Sequence, residues 1–322
     1  MTAKPLAIGV DLGGTKILTV VADKEGAVCG EDLRQTLAPE GPDAVIARIV
    51  ESIREACKAA HILPSDTLGV GISSPGPVNP KEGIVTDAPN LPGWHNIQIT
   101  KLVSEAVGLP AILENDANAA AYGECRFGAA KSLRHVVYVT LGTGIGGGLI
   151  IDGEIYEGAS GAAGEVGHLV VLPNGPDCNC GNRGCVEALS AGPAITREAA
   201  AAVAAGEAPK LAELTGSTAP EAEIVLEAAR LGDPGAREVL YRAGYYLGLG
   251  LTGLLNVFDP QALILGGGLV NLGDFYLSPA IETARKGAFP QIVADVLITT
   301  AMLGNRAGAL GATALVINGT SA

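Results

Sequence analysis

The stretch IGVDLGGTKILTVVA, residues 8–22, decides the fold of this 322-residue chain. Two short apolar runs, residues 6–10 and 17–22, enclose a glycine-rich turn, which predicts two neighbouring strands joined by a tight corner. The stretch VVYVTLGTGIGGGLII, residues 136–151, repeats this order of strand, Gly/Thr turn and strand. Because helical patterns lie between and after the two copies, we predict an α/β protein with two related lobes and a cleft between them.

Apolar periodicity places the other elements. A third strand near residues 27–33 precedes a helix that opens at residue 41 and has apolar positions at helical spacing. Further strands are predicted at residues 68–73, 111–113 and 262–265, and further helices from about residue 100, from about residue 115, at three or more places between residues 192 and 258, and at about 307–317. From this order we predict a small lobe of residues 1–114 plus a C-terminal helix at about 305–322, and a large lobe of residues 115–304.

Composition and charge exclude several classes of partner. The formal net charge is −13, and a negative field of this size repels phosphate backbones, so we expect neither nucleic acid nor an anionic membrane as a partner. The longest nearly uncharged run, residues 244–258, is shorter than the about 20 residues that a membrane helix needs. The first ten residues reach Asp11 too soon for a secretory segment. We therefore expect a cytoplasmic protein in which residues 244–258 form a buried helix.

The glycine-rich corners of both copies can present backbone N–H groups to an anion. We name residues 13–16 the first glycine turn and residues 142–144 the second glycine turn. Tight hairpin turns are the alternative explanation, but their paired occurrence favours phosphate binding, with Asp11 placed to hold Mg²⁺ directly or through water. The glycines are Gly13, Gly14, Gly142, Gly144 and Gly146, and the neighbouring donors are Thr15, Lys16 and Thr143.

Two other nucleotide-binding motifs fit less well. The P-loop string G-x-x-x-x-G-K-[ST] does not occur in the sequence. Residues 142–147 match the dinucleotide pattern G-x-G-x-x-G, but that motif requires a helix immediately after it, whereas residues 149–151 resemble a strand. A dehydrogenase is therefore the disfavoured alternative.

Glu114, Asn115 and Asp116 end a short strand and begin an alanine-rich helix. The field at a helix N-terminus favours a carboxylate, so Asp116 could accept the proton of an attacking hydroxyl group. Asn115 could donate to and accept from a neighbouring hydroxyl group. Helix capping is the alternative role for both residues, and the sequence of this segment alone leaves the two roles open.

Three of the six cysteines are crowded into residues 178–185, and a histidine precedes them. Three thiolates and one imidazole suit a four-coordinate structural Zn²⁺ site, although the spacing differs from that of paired C-x₂-C ribbons. A disulfide, which a reducing compartment disfavours, and free thiols are the alternatives. We predict one structural Zn²⁺ that anchors the loop carrying Glu165 and Glu187. Its ligands would be His168, Cys178, Cys180 and Cys185.

Together these strings resemble the ROK family (repressors, open reading frames, kinases), and within it the bacterial glucokinases. The resemblance covers about residues 8–317, with the strings in family order. It implies an actin-like ATPase fold in which two ribonuclease-H-like lobes close over ATP and a sugar. The matching strings are DLGGTK at 11–16, ENDAN at 114–118, LGTGIGGG at 141–148, EVGH at 165–168, CNCGNRGCVE at 178–187 and LGGG at 265–268.

The resemblance also implies a role for each matching residue. Asp116 would be the general base, and the loop at Gly76 would border the sugar. His168 would serve twice, with one ring nitrogen on Zn²⁺ and the other towards a sugar hydroxyl group. The sugar ligands would be Asn115, Asp116, Glu165, His168 and Glu187, and the ATP ligands would be Asp11, Gly13, Gly14, Thr15, Lys16, Gly142, Thr143, Gly144, Gly266 and Gly267.

The implied activity is transfer of the γ-phosphoryl group from ATP·Mg²⁺ to the 6-hydroxyl of a hexose, with glucose favoured. A kinase for fructose, mannose, allose or N-acetylmannosamine, and a polyphosphate donor, are alternatives. A sugar-sensing regulator of the same family is a further alternative, which the negative charge and the early first strand near residue 6 disfavour. The family also implies a homodimer or homotetramer.

Overall fold

The structure is a computed structural model that describes residues 5–88, 90–216 and 218–319. The strands are β1 (Leu6–Leu12), β2 (Lys16–Asp23), β3 (Val28–Gln35), β4 (Thr67–Ser74), β5 (Val78–Asn79), β6 (Ile84–Asp87), β7 (His95–Ile97), β8 (Ala111–Asn115), β9 (Val136–Leu141), β10 (Ile145–Ile151), β11 (Glu154–Ile155), β12 (Ala262–Gly266) and β13 (Leu297–Thr300). The helices are α1 (Pro42–Ala59), α2 (Ile99–Val107), α3 (Asp116–Phe127), α4 (Val186–Ser190), α5 (Gly192–Ala204), α6 (Pro209–Thr215), α7 (Ala222–Arg230), α8 (Pro234–Phe258), α9 (Asp274–Gly287), α10 (Pro290–Asp295) and α11 (Ala307–Gly319).

The first sheet has the strand order β3-β2-β1-β4-β8. β1 pairs antiparallel with β2 and parallel with β4, and β4 pairs parallel with β8. Successive side chains of a strand point to opposite faces, so β2 divides its apolar residues between two clusters. Ile17 and Val21 pack in the cluster that contains the α1 residues Val45 and Ile49. Leu18, on the opposite face of the sheet, packs against α11. The sheet is therefore covered by α1 on one face and α11 on the other.

The second sheet has the strand order β11-β10-β9-β12-β13. When the strands of each sheet are numbered by their order along the chain, both sheets have the spatial order 3-2-1-4-5. The duplicated strand–turn–strand pattern in the sequence therefore corresponds to two sheets of the same topology. The segment after the second glycine turn is the strand β10, which begins at Ile145, and not a helix. A dinucleotide-binding motif is therefore excluded at this turn.

Contacts divide the chain into two compact units. The first comprises residues up to 138, residues 148–164 and residues from 301 onward, and the second comprises residues 139–147 and 165–300. α3 belongs to the first unit because its backbone approaches α11 closely: a Cβ atom on Gly311 would lie 1.7 Å from the carbonyl oxygen of Ala119. The predicted lobes, 1–114 plus about 305–322 and 115–304, differ from these units, because residues 115–138, 148–164 and 301–304 belong to the first unit. As lobe limits they stay a prediction.

Several elements were not predicted from the sequence. They are the small sheet β5-β6-β7, the strands β11 and β13, and the helices α4, α9 and α10. Strands of two to four residues are too short to show an alternating pattern, which explains why they were missed. The apolar run at residues 244–258 forms the second half of α8, where Leu247, Leu251 and Leu255 are buried. None of the helices among the described residues has the length and apolar character of a membrane span.

Candidate active site and metal centre

Three parallel strands bring the predicted acidic residues of the first unit together. In the ladder between β1 and β4, Asp11 lies opposite Ser73. In the ladder between β4 and β8, Ser73 lies opposite Glu114 and Ser74 lies opposite Asn115. Because the carboxyl ends of parallel strands meet at one edge of a sheet, Asp11 at the end of β1 faces the same edge as the start of α3.

Asp11 is held at this edge by a hydrogen bond and by close packing. The Ser73 hydroxyl group donates to Asp11 Oδ1 over 2.8 Å. A Cβ atom on Gly308, near the start of α11, would lie 2.6 Å from the same oxygen. Burial raises the pKa of Asp11 from 3.8 to about 6; the Ser73 hydrogen bond opposes this shift, and the charge of Asp116 adds to it. The carboxylate is thus poorly compensated within the protein, which suits a group that binds a cation.

We expect Asp11→Asn to stabilise the metal-free protein by about 1–2 kcal/mol at pH 7.5 and to have little effect near pH 4. The pKa of Asp11 is raised in the folded state, so the folded protein accommodates the protonated carboxyl group without penalty below about pH 4. As the pH rises through 6 the group ionises in its buried position, and the free energy of unfolding falls. Urea unfolding of both proteins at the two pH values, without nucleotide or Mg²⁺, measures the difference. An equal effect at both pH values would contradict the raised pKa.

The start of α3 fulfils the capping role predicted as an alternative. Asn115 is the N-cap, and its Oδ1 accepts hydrogen bonds from the backbone N–H groups of Ala117 and Asn118 at 3.0 and 3.3 Å. This use of Oδ1 leaves the side-chain NH₂ group of Asn115 as the part that can donate to a ligand. Asp116 is the first residue of the helix, and its Oδ1 also accepts from Ala117 N–H at 2.8 Å. Capping and ligand binding are therefore compatible here.

The first glycine turn is fixed by Thr36, a fully buried residue that the sequence analysis missed. The Thr36 hydroxyl group donates to the carbonyl oxygen of Gly13 over 2.6 Å, and its backbone N–H donates to the carbonyl oxygen of Thr15 over 2.8 Å. Gly13 N–H donates to the carbonyl oxygen of Lys16 over 2.9 Å, and this hydrogen bond closes the turn. Among the described residues, the N–H groups of Gly14 and Thr15 have no acceptor, as an anion-binding turn requires.

The second glycine turn is held by segments that lie far away in the sequence. Gly142 N–H donates to the carbonyl oxygen of Gly144 over 3.0 Å, and Gly192 N–H, at the start of α5, donates to the carbonyl oxygen of Gly142 over 2.9 Å. Gly267, which follows β12, has a φ of 83°, and a Cβ atom there would lie 2.3 Å from the carbonyl oxygen of Leu141. Gly267, a predicted ATP ligand, therefore packs directly against the strand that leads into this turn.

The predicted zinc ligands converge. One ligand atom from each of the four residues lies within 4.8 Å of every other. Cys178 Sγ is 3.6 Å from His168 Nδ1, and Cys180 Sγ is 3.7 Å from Cys185 Sγ. Ligands bound tetrahedrally to zinc at about 2.0–2.3 Å lie about 3.5–3.8 Å apart, so these distances fit the ion. All six cysteines are free, so the disulfide alternative does not describe this structure.

Local chain geometry forms the cluster. Cys178 N–H donates to the carbonyl oxygen of Asn182 over 2.8 Å, which folds the intervening residues into a knuckle. Burial, followed by the neighbouring thiols, raises the pKa of Cys185 to about 12, whereas a backbone hydrogen bond involving Asn182 lowers the pKa of Cys180. Three thiolates at these separations need a cation to compensate their charge. The donor set therefore fits one metal ion.

The remaining predicted sugar ligands divide between the two units. In the second unit, Glu165 Oε2 lies 3.8 Å from His168 Nε2, and Glu187 on α4 accepts a hydrogen bond from Ile145 N–H. In the first unit, Gly76 follows β4 with a φ of 112°, and a Cβ atom there would lie 2.1 Å from the carbonyl oxygen of Asp87. The loop at Gly76 therefore requires glycine because of this close approach.

The fold and the two glycine turns together define the class. Each sheet has a glycine turn after its first long strand and has the same strand order. This is the actin-like ATPase fold, built from two ribonuclease-H-like sheets, and the solved structures similar to it include sugar kinases. The sequence model of the ROK family matches residues 7–318. The chain belongs to the ROK family.

Relatives within the family include both enzymes and regulators. The chain is 37% identical to the glucokinase of Thermotoga maritima over 310 residues, which cover 96% of each chain. A crystal structure of a ROK family glucokinase from Streptomyces griseus, in complex with glucose and AMPPNP, superposes with a TM-score of 0.82 at 36% identity, covering 97% of this chain and 99% of that one. The xylose repressor of Bacillus subtilis is 32% identical and covers 97% of this chain, which in turn covers 77% of the repressor.

Proposed function

We propose that this protein transfers the γ-phosphoryl group of ATP to the 6-hydroxyl of a hexose, with glucose as the preferred acceptor. The observation that carries the proposal is the meeting of Asp11 and Asp116 at one edge of the first sheet, where the charge of Asp116 affects the pKa of Asp11. A phosphoryl transferase needs one acidic group near Mg²⁺ and another near the attacking hydroxyl group. The glucokinase relatives support glucose as the acceptor.

In the proposed reaction Asp116 is the general base. Its carboxylate takes the proton of the hexose 6-hydroxyl as that oxygen forms a bond to the γ-phosphorus of ATP. The bond between the γ-phosphorus and the bridging β–γ oxygen breaks, and ADP leaves. The position of Asp116 at the first residue of α3 suits this role because the helix N-terminus stabilises the carboxylate before the proton is taken.

The binding roles implied by the family remain part of the proposal. Mg²⁺ of the substrate ATP·Mg²⁺ is bound near Asp11, directly or through water. The hexose contacts the loop at Gly76, and the side-chain NH₂ group of Asn115 donates to one of its hydroxyl groups. The other proposed hexose ligands are Glu165, His168 and Glu187, and the proposed ATP ligands are Gly13, Gly14, Thr15, Lys16, Gly142, Thr143, Gly144, Gly266 and Gly267.

We further propose that the cluster of His168 and three cysteines holds one structural Zn²⁺. Four protein ligands would leave no open position, so the ion would stabilise the loop and take no part in the chemistry. Metal analysis of the purified protein is expected to give about one zinc per chain. Cys180→Ser, which removes an exposed ligand, should lower this value, while Cys29→Ser, at an exposed thiol outside the cluster, should not. Less than about half an equivalent in the unaltered protein would remove the zinc proposal.

A sugar-sensing regulator is the second candidate, because the chain is 32% identical to a xylose repressor. The net charge of −13 is unfavourable for a DNA-binding surface. A kinase also differs from a regulator because only the kinase catalyses phosphoryl transfer. Only the kinase forms ADP when ATP and hexose are mixed, so this alternative can be tested directly.

An ADP-release assay over a panel of sugars tests the proposed function. The panel contains glucose, fructose, mannose, allose and N-acetylmannosamine, each with ATP. Glucose is also mixed with polyphosphate, and there glucose 6-phosphate is measured because this donor releases no ADP. We expect ADP formation with glucose to exceed that with its epimers, because a buried acceptor left without its hydroxyl partner costs about 1–3 kcal/mol. No ADP with any sugar, together with no glucose 6-phosphate from polyphosphate, would favour the regulator, and faster turnover with another sugar would replace glucose as the acceptor. The cytoplasmic location and the homodimer or homotetramer stay predictions.

A further inference from the structure

The second glycine turn contacts the helix that carries a proposed hexose ligand. Ile145, the residue after the turn, donates its backbone N–H to Glu187 Oε2 over 2.9 Å. The approach is close: a Cβ atom on Gly144 would lie 2.8 Å from the same oxygen. Glu187 lies 42 residues further along the chain, on α4. The conformation of the turn therefore depends on where this one carboxylate is held.

The helix that carries Glu187 is firmly anchored. The Ser190 hydroxyl group, at the end of α4, donates to the carbonyl oxygen of Ala243 over 2.9 Å, and the Tyr276 hydroxyl group donates to the carbonyl oxygen of Ser190 over 2.9 Å. Both hydrogen bonds are buried, and Ser190 and Tyr276 are fully buried. At the other end of α4, Cys185 belongs to the cysteine and histidine cluster. Glu187 therefore projects from a short helix that is fixed at both ends.

A second segment with proposed hexose ligands also packs against the turn. Gly167 lies between Val166 and His168, and a Cβ atom on it would lie 2.0 Å from the carbonyl oxygen of Ile145. Ile145 thus has its N–H group bound by Glu187 and its carbonyl group against Gly167. A ligand that orders Glu187 or residues 165–168 acts on the backbone of the turn through direct contacts.

The Glu187 carboxylate has one oxygen in use and one available. Oε2 accepts from Ile145, whereas Oε1 makes no hydrogen bond or ion pair within residues 5–88, 90–216 and 218–319. The side chain is half-buried, so Oε1 is reachable by a ligand. An ionised carboxylate has acceptor sites on both oxygens, and a hydroxyl group can donate to Oε1 without breaking the bond to Ile145.

We propose that Glu187 is a positioning residue through which hexose binding increases the affinity for ATP. This inference rests on the proposed function, because it takes the hexose as a ligand of Oε1 and the second glycine turn as a phosphate site. A hexose hydroxyl group on Oε1 fixes the carboxylate, and Oε2 then fixes the Ile145 amide and the turn before it. A turn that is already ordered loses less conformational entropy when the phosphates bind, so the two ligands bind cooperatively.

Calorimetric titration with AMPPNP and Mg²⁺, with and without saturating glucose, measures the coupling. In the unaltered protein we expect glucose to tighten AMPPNP binding about fivefold or more, and AMPPNP to tighten glucose binding by the same factor. In Glu187→Ala, AMPPNP binding without glucose should weaken about fivefold, and glucose at a verified saturating concentration should change it less than about twofold. Glu187→Gln retains an acceptor for Ile145 and should keep the AMPPNP affinity measured without glucose.

The matched control is Glu198→Gln. Glu198 is a carboxylate of the same unit that pairs with Arg197 and Arg242. Within the part of the chain that the structure describes, no hydrogen bond or ion pair joins it to the turn, so this variant should retain the full coupling. Undiminished coupling in Glu187→Ala would overturn the inference. Equal loss of AMPPNP affinity in the Gln and Ala variants would also overturn it, since the hydrogen bond from Ile145 N–H to residue 187 would then have no effect on AMPPNP affinity. An unaltered protein that binds AMPPNP but no hexose would instead contradict the proposed function.

Discussion

Replacing Asp116 with Asn is expected to lower kcat for glucose phosphorylation by about 100-fold or more, with the affinity for glucose little changed. The Asn side chain has nearly the same shape and is favoured near a helix N-terminus, so α3 should still begin at this position. An amide cannot take the proton of the 6-hydroxyl, and the attacking oxygen must then form its bond while still protonated. The loss therefore appears in kcat and not in glucose binding.

Asp43→Asn is the matched control for this prediction. Asp43 is an exposed aspartate in the first turn of α1, and it lies in the same unit as Asp116, so its replacement removes a similar charge from a similar helix position. ADP-release kinetics give kcat, and calorimetric titration with glucose gives the affinity. If Asp116→Asn abolished glucose binding but kept normal turnover of bound glucose, Asp116 would be a sugar ligand and not the base.

Replacing Glu124 with Gln is expected to lower the free energy of unfolding by about 2–4 kcal/mol. Glu124 is fully buried on α3, and its two oxygens accept three backbone hydrogen bonds. Oε1 accepts from Met302 N–H and Leu303 N–H at 2.9 and 2.8 Å, and Oε2 accepts from Ala129 N–H at 2.7 Å. A Gln side chain would turn its NH₂ group towards one of these N–H donors, which leaves buried donors facing each other.

The position of Glu124 links this loss of stability to the active site. The hydrogen bonds from Met302 and Leu303 join the end of α3 to the segment that precedes α11. Asp116 begins α3, and Gly308, near the start of α11, packs on Asp11. Urea unfolding measures the change, with Glu105→Gln as control, because Glu105 is an exposed glutamate on α2 of the same unit. A loss below about 0.5 kcal/mol for Glu124→Gln, similar to an ordinary surface substitution, would show that the three hydrogen bonds do not stabilise the fold.

The sequence by itself determined the fold class and the types of residue available for chemistry. The strand–turn–strand pattern at residues 8–22 and 136–151 is local, because short apolar runs and the glycines of a tight corner act within a few residues. The structure confirmed both strand pairs. The crowding of Cys178, Cys180 and Cys185 is also local, and so the three thiols could be predicted to lie close together.

Only the tertiary structure decided which of these groups meet and what holds them. Ser73 donates to Asp11 across 62 residues of sequence, Glu187 accepts from Ile145 across 42, and Glu124 accepts from Met302 across 178. None of these pairs leaves a pattern in the sequence, because strand register and helix packing depend on the folding of the whole unit. A short-range pattern specifies each element, whereas the burial of a carboxylate and the identity of its donors are set by contacts between elements that are distant along the chain.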